Sequence, residues 1–175
     1  MSVLDDDERA FLGSHDKCYL ATVSENGWPH VAPLAYATLP EDNRVYLLTH
    51  PYQRKSQNIF HDNRVGILVE EGHEYLELRG LFIHGYATVV RDDSRYADLE
   101  EAWVDGFYDG KIPDVVKKVY DTRESWLWFE IEPVHAVSWS NDVIDPERLA
   151  HRDVPEGSPF TYDLPSDAGA AEPPA

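Results

Sequence analysis

One cysteine, one methionine and five lysines are all that 175 residues contain of those types, and each scarcity excludes something. Cys18 has no partner for an internal disulfide, and its place at the start of an apolar run is that of a small core residue. None of the eight histidines stands in a His-x-x-x-His pair and no Cys-x-x-Cys occurs, so no two metal ligands share one face by spacing and no metal site is predicted. Gly-x-Ser-x-Gly, Gly-x-x-x-x-Gly-Lys and Gly-x-Gly-x-x-Gly are all absent, leaving no positive support for hydrolase, P-loop or dinucleotide-fold chemistry. No run of about 18 apolar residues appears, and MSVLDDDERAFLGSH has neither a basic start nor an apolar stretch. A cytoplasmic protein without a membrane span is the expectation.

What is abundant is acid. Thirty-three Asp and Glu against fifteen Lys and Arg leave a formal charge of -18. Such a surface repels phosphate backbones and anionic lipid, so neither nucleic acid nor membrane is an expected partner. Dense carboxylate with scarce lysine suits a salt-rich cytoplasm, where the Debye length falls to a few ångströms and self-repulsion is screened. An ordinary acidic cytosolic protein has the same composition. Five Trp, ten Tyr and six Phe within a 42% hydrophobic chain are enough to bury one domain's core.

The order of patterns along the chain is that of a small antiparallel β structure. Leu4 to Leu12 suits a short helix with its acids at the positive end, lying as a lid. Three β-type runs follow, Cys18–Ser24, Pro29–Thr38 and Arg44–His50, separated by Glu25-Asn26-Gly27 and by residues 39–43. After Pro51 a short helix is predicted over Tyr52–His61, then a strand over Arg64–Glu70 and a hairpin at Glu71-Gly72. Glu74 to Arg91 is too long for one flat strand, and Gly80 and Gly85 mark bends at which a sheet closes into a barrel. Ser94–Val104 and Pro113–Tyr120 have helical spacing, and Trp126–Trp139 returns to strand. No repeat is present. The domain is expected over 1–141, with 142–175 an acidic tail rich in Pro, Ala and Gly that is disordered or docked on a partner through Phe160 and Tyr162.

Chemistry concentrates in residues 45–69, VYLLTHPYQRKSQNIFHDNRVGILV. Arg54, Lys55, Ser56, Gln57 and Asn58 place donors where a helix start exposes free N–H groups, a combination that attracts a phosphate dianion. A solvated helix face with incidental cations is the other reading of the same residues. His30 and His50 flank the central strands, as proton shuttles or as caps of hydrogen-bond networks. Trp126, Trp128 and Trp139 suit core or subunit interface.

THPYQRK, Thr49 to Lys55, resembles the threonine followed five and six residues later by Arg and Lys in the pyridoxamine 5′-phosphate oxidase-like family. NGWPHVAPLAYA is similar to that family's turn and second strand, and HDNRVGILVE to its asparagine-proline-arginine-valine strand. YLELRGLFIHGYATVV resembles its long bent strand, and residues 134–139 its last one. The resemblance implies a six-stranded antiparallel split β-barrel with short peripheral helices, dimeric, with FMN at the subunit interface. It implies that Arg54 and Lys55 hold the flavin phosphate with Ser56 and Asn58 as helpers. The ring would lie against Ala32, Pro33 and Leu34 and against Leu48 and Thr49, with Arg79 nearby and Trp139 facing the partner's cofactor. The glutamine and the closing arginine-rich segment of true pyridoxamine phosphate oxidases are missing, so that substrate is not implied. LELRG and AVSW resemble a branch using FMN or the deazaflavin coenzyme F-420. The implied activity is thus a flavin- or deazaflavin-dependent oxidoreductase on an unknown small molecule, with a non-catalytic flavin carrier as the other reading. No catalytic residue is assigned.

Overall fold

A computed structural model describes residues 3–40, 42–120 and 126–142; the predicted tail beyond Asp142, with Phe160 and Tyr162, lies outside the described residues. Helix α1 (Asp6–Gly13) starts two residues after Leu4, the predicted start, because Asp5 serves as its cap. Asp5 accepts from the Glu8 amide at 2.8 Å while Glu8 accepts from the Asp5 amide at 3.0 Å, so each satisfies an N–H that the first turn leaves open. Leu4 and Leu12 carry it onto the barrel, both buried.

Six strands follow: β1 (Lys17–Val23), β2 (Pro29–Ala37), β3 (Val45–Thr49), β4 (Arg64–Glu71), β5 (Arg79–Val89) and β6 (Leu127–Ser140). All neighbours are antiparallel, in the order β1-β2-β3-β6-β5-β4, and the pairing of β1 with β4 at Tyr19↔Leu68 and Ala21↔Gly66 closes the barrel. The interior is filled by alternate residues, among them Leu20, Leu47, Ile67, Ile83, Phe129 and Ile131.

A second core lies outside the barrel. Helix α3 (Tyr96–Tyr108) sets Leu99 and Trp103 against Tyr46, Val90 and Trp128 on the outer wall. Both faces of β3 are therefore covered, which is why VYLL shows no polar alternation. A shorter helix, α4 (Asp114–Tyr120), follows, and α2 (Arg54–His61) connects β3 to β4.

Three expectations change in detail. β5 begins at Arg79, not at Glu74, because residues 75–77 form a 3-10 turn in which the Glu77 amide donates to the Glu74 carbonyl. The β4–β5 connection is consequently longer than a tight hairpin at Glu71-Gly72. Gly72 adopts φ +106°, and a Cβ there would meet the Glu77 carbonyl at 2.5 Å. Gly85 does stand at the bulge, where the register passes from His84↔His135 to Gly85↔Pro133 and leaves Val134 extra. Gly80 has no bulge; its missing side chain makes room for the Trp139 ring. α3 runs one turn past Val104.

Candidate functional site

The chain turns sharply between β3 and α2, and buried hydroxyls fix that turn. Thr49 donates to the Gln53 side-chain oxygen at 3.0 Å, and Ser56 donates to the His50 carbonyl at 2.8 Å. Asn58 donates to Thr22 Oγ1 at 2.9 Å. Ser56 and Asn58 are thus turned inward and hydrogen-bonded to protein groups, so what they fix is the position of α2. The residues facing outward at the helix start are Arg54, exposed, and Lys55, half-buried.

The electrostatics of that start are unusual. The Gln53 side chain caps no backbone N–H of the helix, and the first turn contains no acid. Two cations therefore stand at the positive pole of α2, where the helix dipole favours anions. Burial holds the Lys55 ammonium below the usual lysine range, and its protein acceptor is the Gln53 side-chain oxygen, a neutral group. An anion bound here would relieve both effects.

Lys55 and Gln53 border a cavity of about 220 Å³ with Leu34 and Leu48 on the barrel side and Trp103 and Phe107 on the α3 side. Three predicted residues, Leu34, Leu48 and Lys55, thus meet. Pro33 stands on the outer surface opposite Tyr19, and Ala32 pairs with the buried Leu20. A second, apolar cavity of about 270 Å³ adjoins the first, sharing Leu48, Trp103 and Trp126 and extending to Tyr96, Ile112 and Trp128. Gln53, Trp103 and Phe107 escaped sequence reasoning. The helical spacing of α3 was visible, but the wall it covers is a tertiary fact.

Arg79 and Trp139 lie elsewhere. They border a groove of about 450 Å³ with Phe11, Glu8 and Ser138. Arg79 is ion-paired with Glu71 and stands over the Phe11 ring at 5.5 Å, and its guanidinium holds the Glu71 carboxyl below its ordinary range. His15 reaches the same carboxylate at 3.0 Å. Since Thr49 pairs with Leu127 and Gly80 with Trp139, the two places sit at opposite ends of β6, about 40 Å apart along the strand at roughly 3.3 Å per residue.

Of the other candidates, Cys18 is buried and its thiol is pushed up to about 12 by desolvation, which makes it inert at neutral pH. His50 Nδ1 accepts from the Tyr52 amide at 3.3 Å and its ring meets Trp126 edge-on at 6.0 Å, so it borders the site. His30 Nδ1 is buried without a hydrogen-bond partner among the described residues. Among those residues no three His, Cys, Asp or Glu side chains gather into a metal-binding group, and no helix is long and apolar enough to cross a membrane.

Among solved structures the fold resembles a conserved hypothetical protein of Mycobacterium tuberculosis, with TM-score 0.67 and 24% identity over 80% of this chain and 87% of that one. It resembles the heme storage protein HutZ of Vibrio cholerae at TM-score 0.60 and 16% identity, covering 80% of this chain and 95% of that one. An FAD-binding protein of Mesorhizobium loti gives TM-score 0.56 and 20% identity over 77% of this chain and 92% of that one. No curated protein matches the chain. At such identities the likeness is one of fold alone. The family model described as pyridoxamine 5′-phosphate oxidase, however, matches residues 4–138, the barrel up to the last two residues of β6. By that match, and by the closed six-stranded antiparallel barrel that carries it, the chain belongs to the pyridoxamine 5′-phosphate oxidase family.

Proposed function

We propose that the chain is a flavin-dependent oxidoreductase acting on a small organic molecule, with FMN as its cofactor and Arg54 and Lys55 as the holders of its phosphate. The observation that carries this reading is the start of α2, where two cations and an uncapped helix terminus converge beside a cavity. A phosphate dianion fits that donor set. The guanidinium offers parallel donors, the ammonium a point charge and the helix its free N–H groups. When bound, the flavin supplies the hydride or electron-pair chemistry. Thr49 and Ser56 keep the helix start in place, Leu34 and Leu48 offer apolar walls, and the half-buried Lys55 supplies charge where little water competes.

A second copy of the chain belongs to this reading. Pro33, Tyr19, Leu68, Phe82 and Val137 are in register as one outward row across five strands. Tyr19 and Val137 remain 44% and 47% exposed, more apolar surface than a monomer gains by showing. Pairing through this face would allow Arg79 and Trp139 of one protomer to approach the Lys55 site of its partner, which a single protomer cannot do across the length of β6.

F-420 also carries a phosphate and suits the same donors. A non-catalytic carrier is the second reading, favoured by the absence of an acid–base pair among the described residues bordering the Lys55 cavity. An absorption spectrum with the mass of the released ligand, from protein purified at high salt, separates these. FMN shows the visible flavin band, a deazaflavin absorbs at shorter wavelength, and a carrier holds its ligand without turning over reduced nicotinamide. Arg54→Ala with Lys55→Ala is expected to weaken FMN about a hundredfold, from about 1.5 kcal/mol for each charge-assisted contact. Unchanged affinity in a fluorescence titration would refute the assignment.

A further inference from the structure

We propose that His84 and His135, a facing pair on the outer surface of the barrel, together bind one divalent transition-metal ion of the nickel, copper or zinc class. His84 on β5 pairs directly with His135 on β6. Their ring centroids stand 5.9 Å apart, with the rings 33° from parallel. Such an ion lies about 2.0–2.1 Å from an imidazole nitrogen and hence about 3.2 Å from the ring centre. Two rings sharing one ion then have centres about 4.5 Å apart at a right angle and about 6.4 Å apart in line. The observed separation falls inside that interval, and a small side-chain rotation gives the tetrahedral value of about 5.2 Å.

The bulge creates the pair. On β6, Ile131 is buried and Glu132 exposed, so strict alternation would turn residue 135 inward. The register shift beside Gly85 leaves Val134 extra and reverses that parity, so His135 emerges exposed opposite an exposed His84. Gly85 permits the shift, since a Cβ there would meet the Glu132 carbonyl oxygen at 2.8 Å. Histidines on different strands leave no spacing signal along the chain, which is why motif reading finds no ligand pair.

The surroundings decide the ligand class. Neither ring has a hydrogen-bond or ion-pair partner among the described residues; their contacts are with each other and with Phe82, which stands edge-on to His84 at 4.7 Å and braces it. Both imidazoles therefore keep a lone pair for a ligand. Exposed Glu132, in register with Tyr86 two residues from His84, adds negative charge on the same face. Arg64, in register with Tyr86 from β4, is already ion-paired with Asp62 at 2.5 Å. A dication is thus favoured here, and the net charge of -18 raises its local concentration. Imidazole suits nickel, copper and zinc, whereas magnesium and calcium demand oxygen ligands, and water completes the coordination. Because the two histidines meet only in the folded register, the ion would staple β5 to β6 at the bulge and stabilise the fold by mass action. The site is independent of the flavin reading.

The test titrates nickel chloride calorimetrically into the full chain, first stripped with a chelator, in molar KCl at about pH 7.5, where imidazole is largely neutral. The expected result is one ion per chain, with an affinity that falls towards about pH 5 as protons compete for the ring nitrogens. His84→Gln and His135→Gln should each lose this binding with an unchanged circular dichroism spectrum, whereas His73→Gln, at an exposed histidine outside the barrel sheet, should keep it. Nickel should raise the Tm of the unsubstituted chain and leave that of the two variants unmoved. Undiminished binding in either His84→Gln or His135→Gln would overturn the proposal, as would half an ion per chain or displacement of nickel by an equal concentration of magnesium.

Discussion

Trp139 shows how one side chain is placed by the absence of another. A Cβ on Gly80 would come within 2.5 Å of two Trp139 ring atoms and 2.9 Å of the Val69 carbonyl oxygen, so the ring lies flat only because residue 80 has no side chain. Gly80→Ala should therefore move the ring and cost about 1–3 kcal/mol, as overpacking does, measurable by thermal unfolding followed through tryptophan fluorescence. The pairing of Gly80 with Trp139 spans β5 and β6 and was not legible from either residue alone. Arg54 and Lys55, by contrast, were legible, since two adjacent cations stand out in a chain of charge -18. Ser56 and Asn58 offered the same polar types, but which of them face outward depends on the side of α2 that meets the barrel. Their burial, at 0% and 5% exposure, answers that.

At the scale of elements, the position of α3 decides the cavities, and a small polar lock ties its start to the barrel. Asp42 accepts from the Tyr46 hydroxyl at 2.5 Å and from Arg95 at 2.7 Å. Partial burial pushes the Asp42 carboxyl up, but these donors and the Arg44 amide outweigh it and hold it below its ordinary 3.8. A carboxyl depressed in the fold and ordinary in the unfolded chain adds stability above its unfolded value, and that stability is lost as pH falls through the folded value. Asp42→Asn should accordingly flatten the fall of Tm between about pH 4.5 and pH 2.5; an unchanged slope would mean that the lock adds nothing. The existence and type of these elements followed from periodicity and turn residues, and each of the six strands overlaps a run of alternation or β-branching. The start of β5 did not, because Tyr75 and Leu76 have strand-like side chains in a segment that a backbone turn captures.

For the whole molecule, the outward apolar row and the surface charge each carry a prediction. On the proposed dimer, light scattering should give twice the chain mass for the unsubstituted protein and a monomer mass for Val137→Arg, which places a charge in the row Tyr19–Leu68–Phe82–Val137. FMN affinity should fall in parallel, since the partner's Arg79 and Trp139 would be withdrawn. Raising KCl from about 0.1 M to about 2 M should raise Tm through screening of a net charge of -18; a flat response would favour an ordinary acidic protein over one adapted to salt. The sequence by itself determined the strand count, the barrel class, the acidic surface and the cation pair beside Thr49, because periodicity, turn chemistry and formal charge are local quantities. Only the tertiary structure decided that Arg79 and Trp139 sit at the far end of β6 from Lys55, and that α3 leaves an aromatic cavity against the outer wall. Those facts depend on register and on which faces meet, and both are set when distant segments compete to bury the same apolar surface.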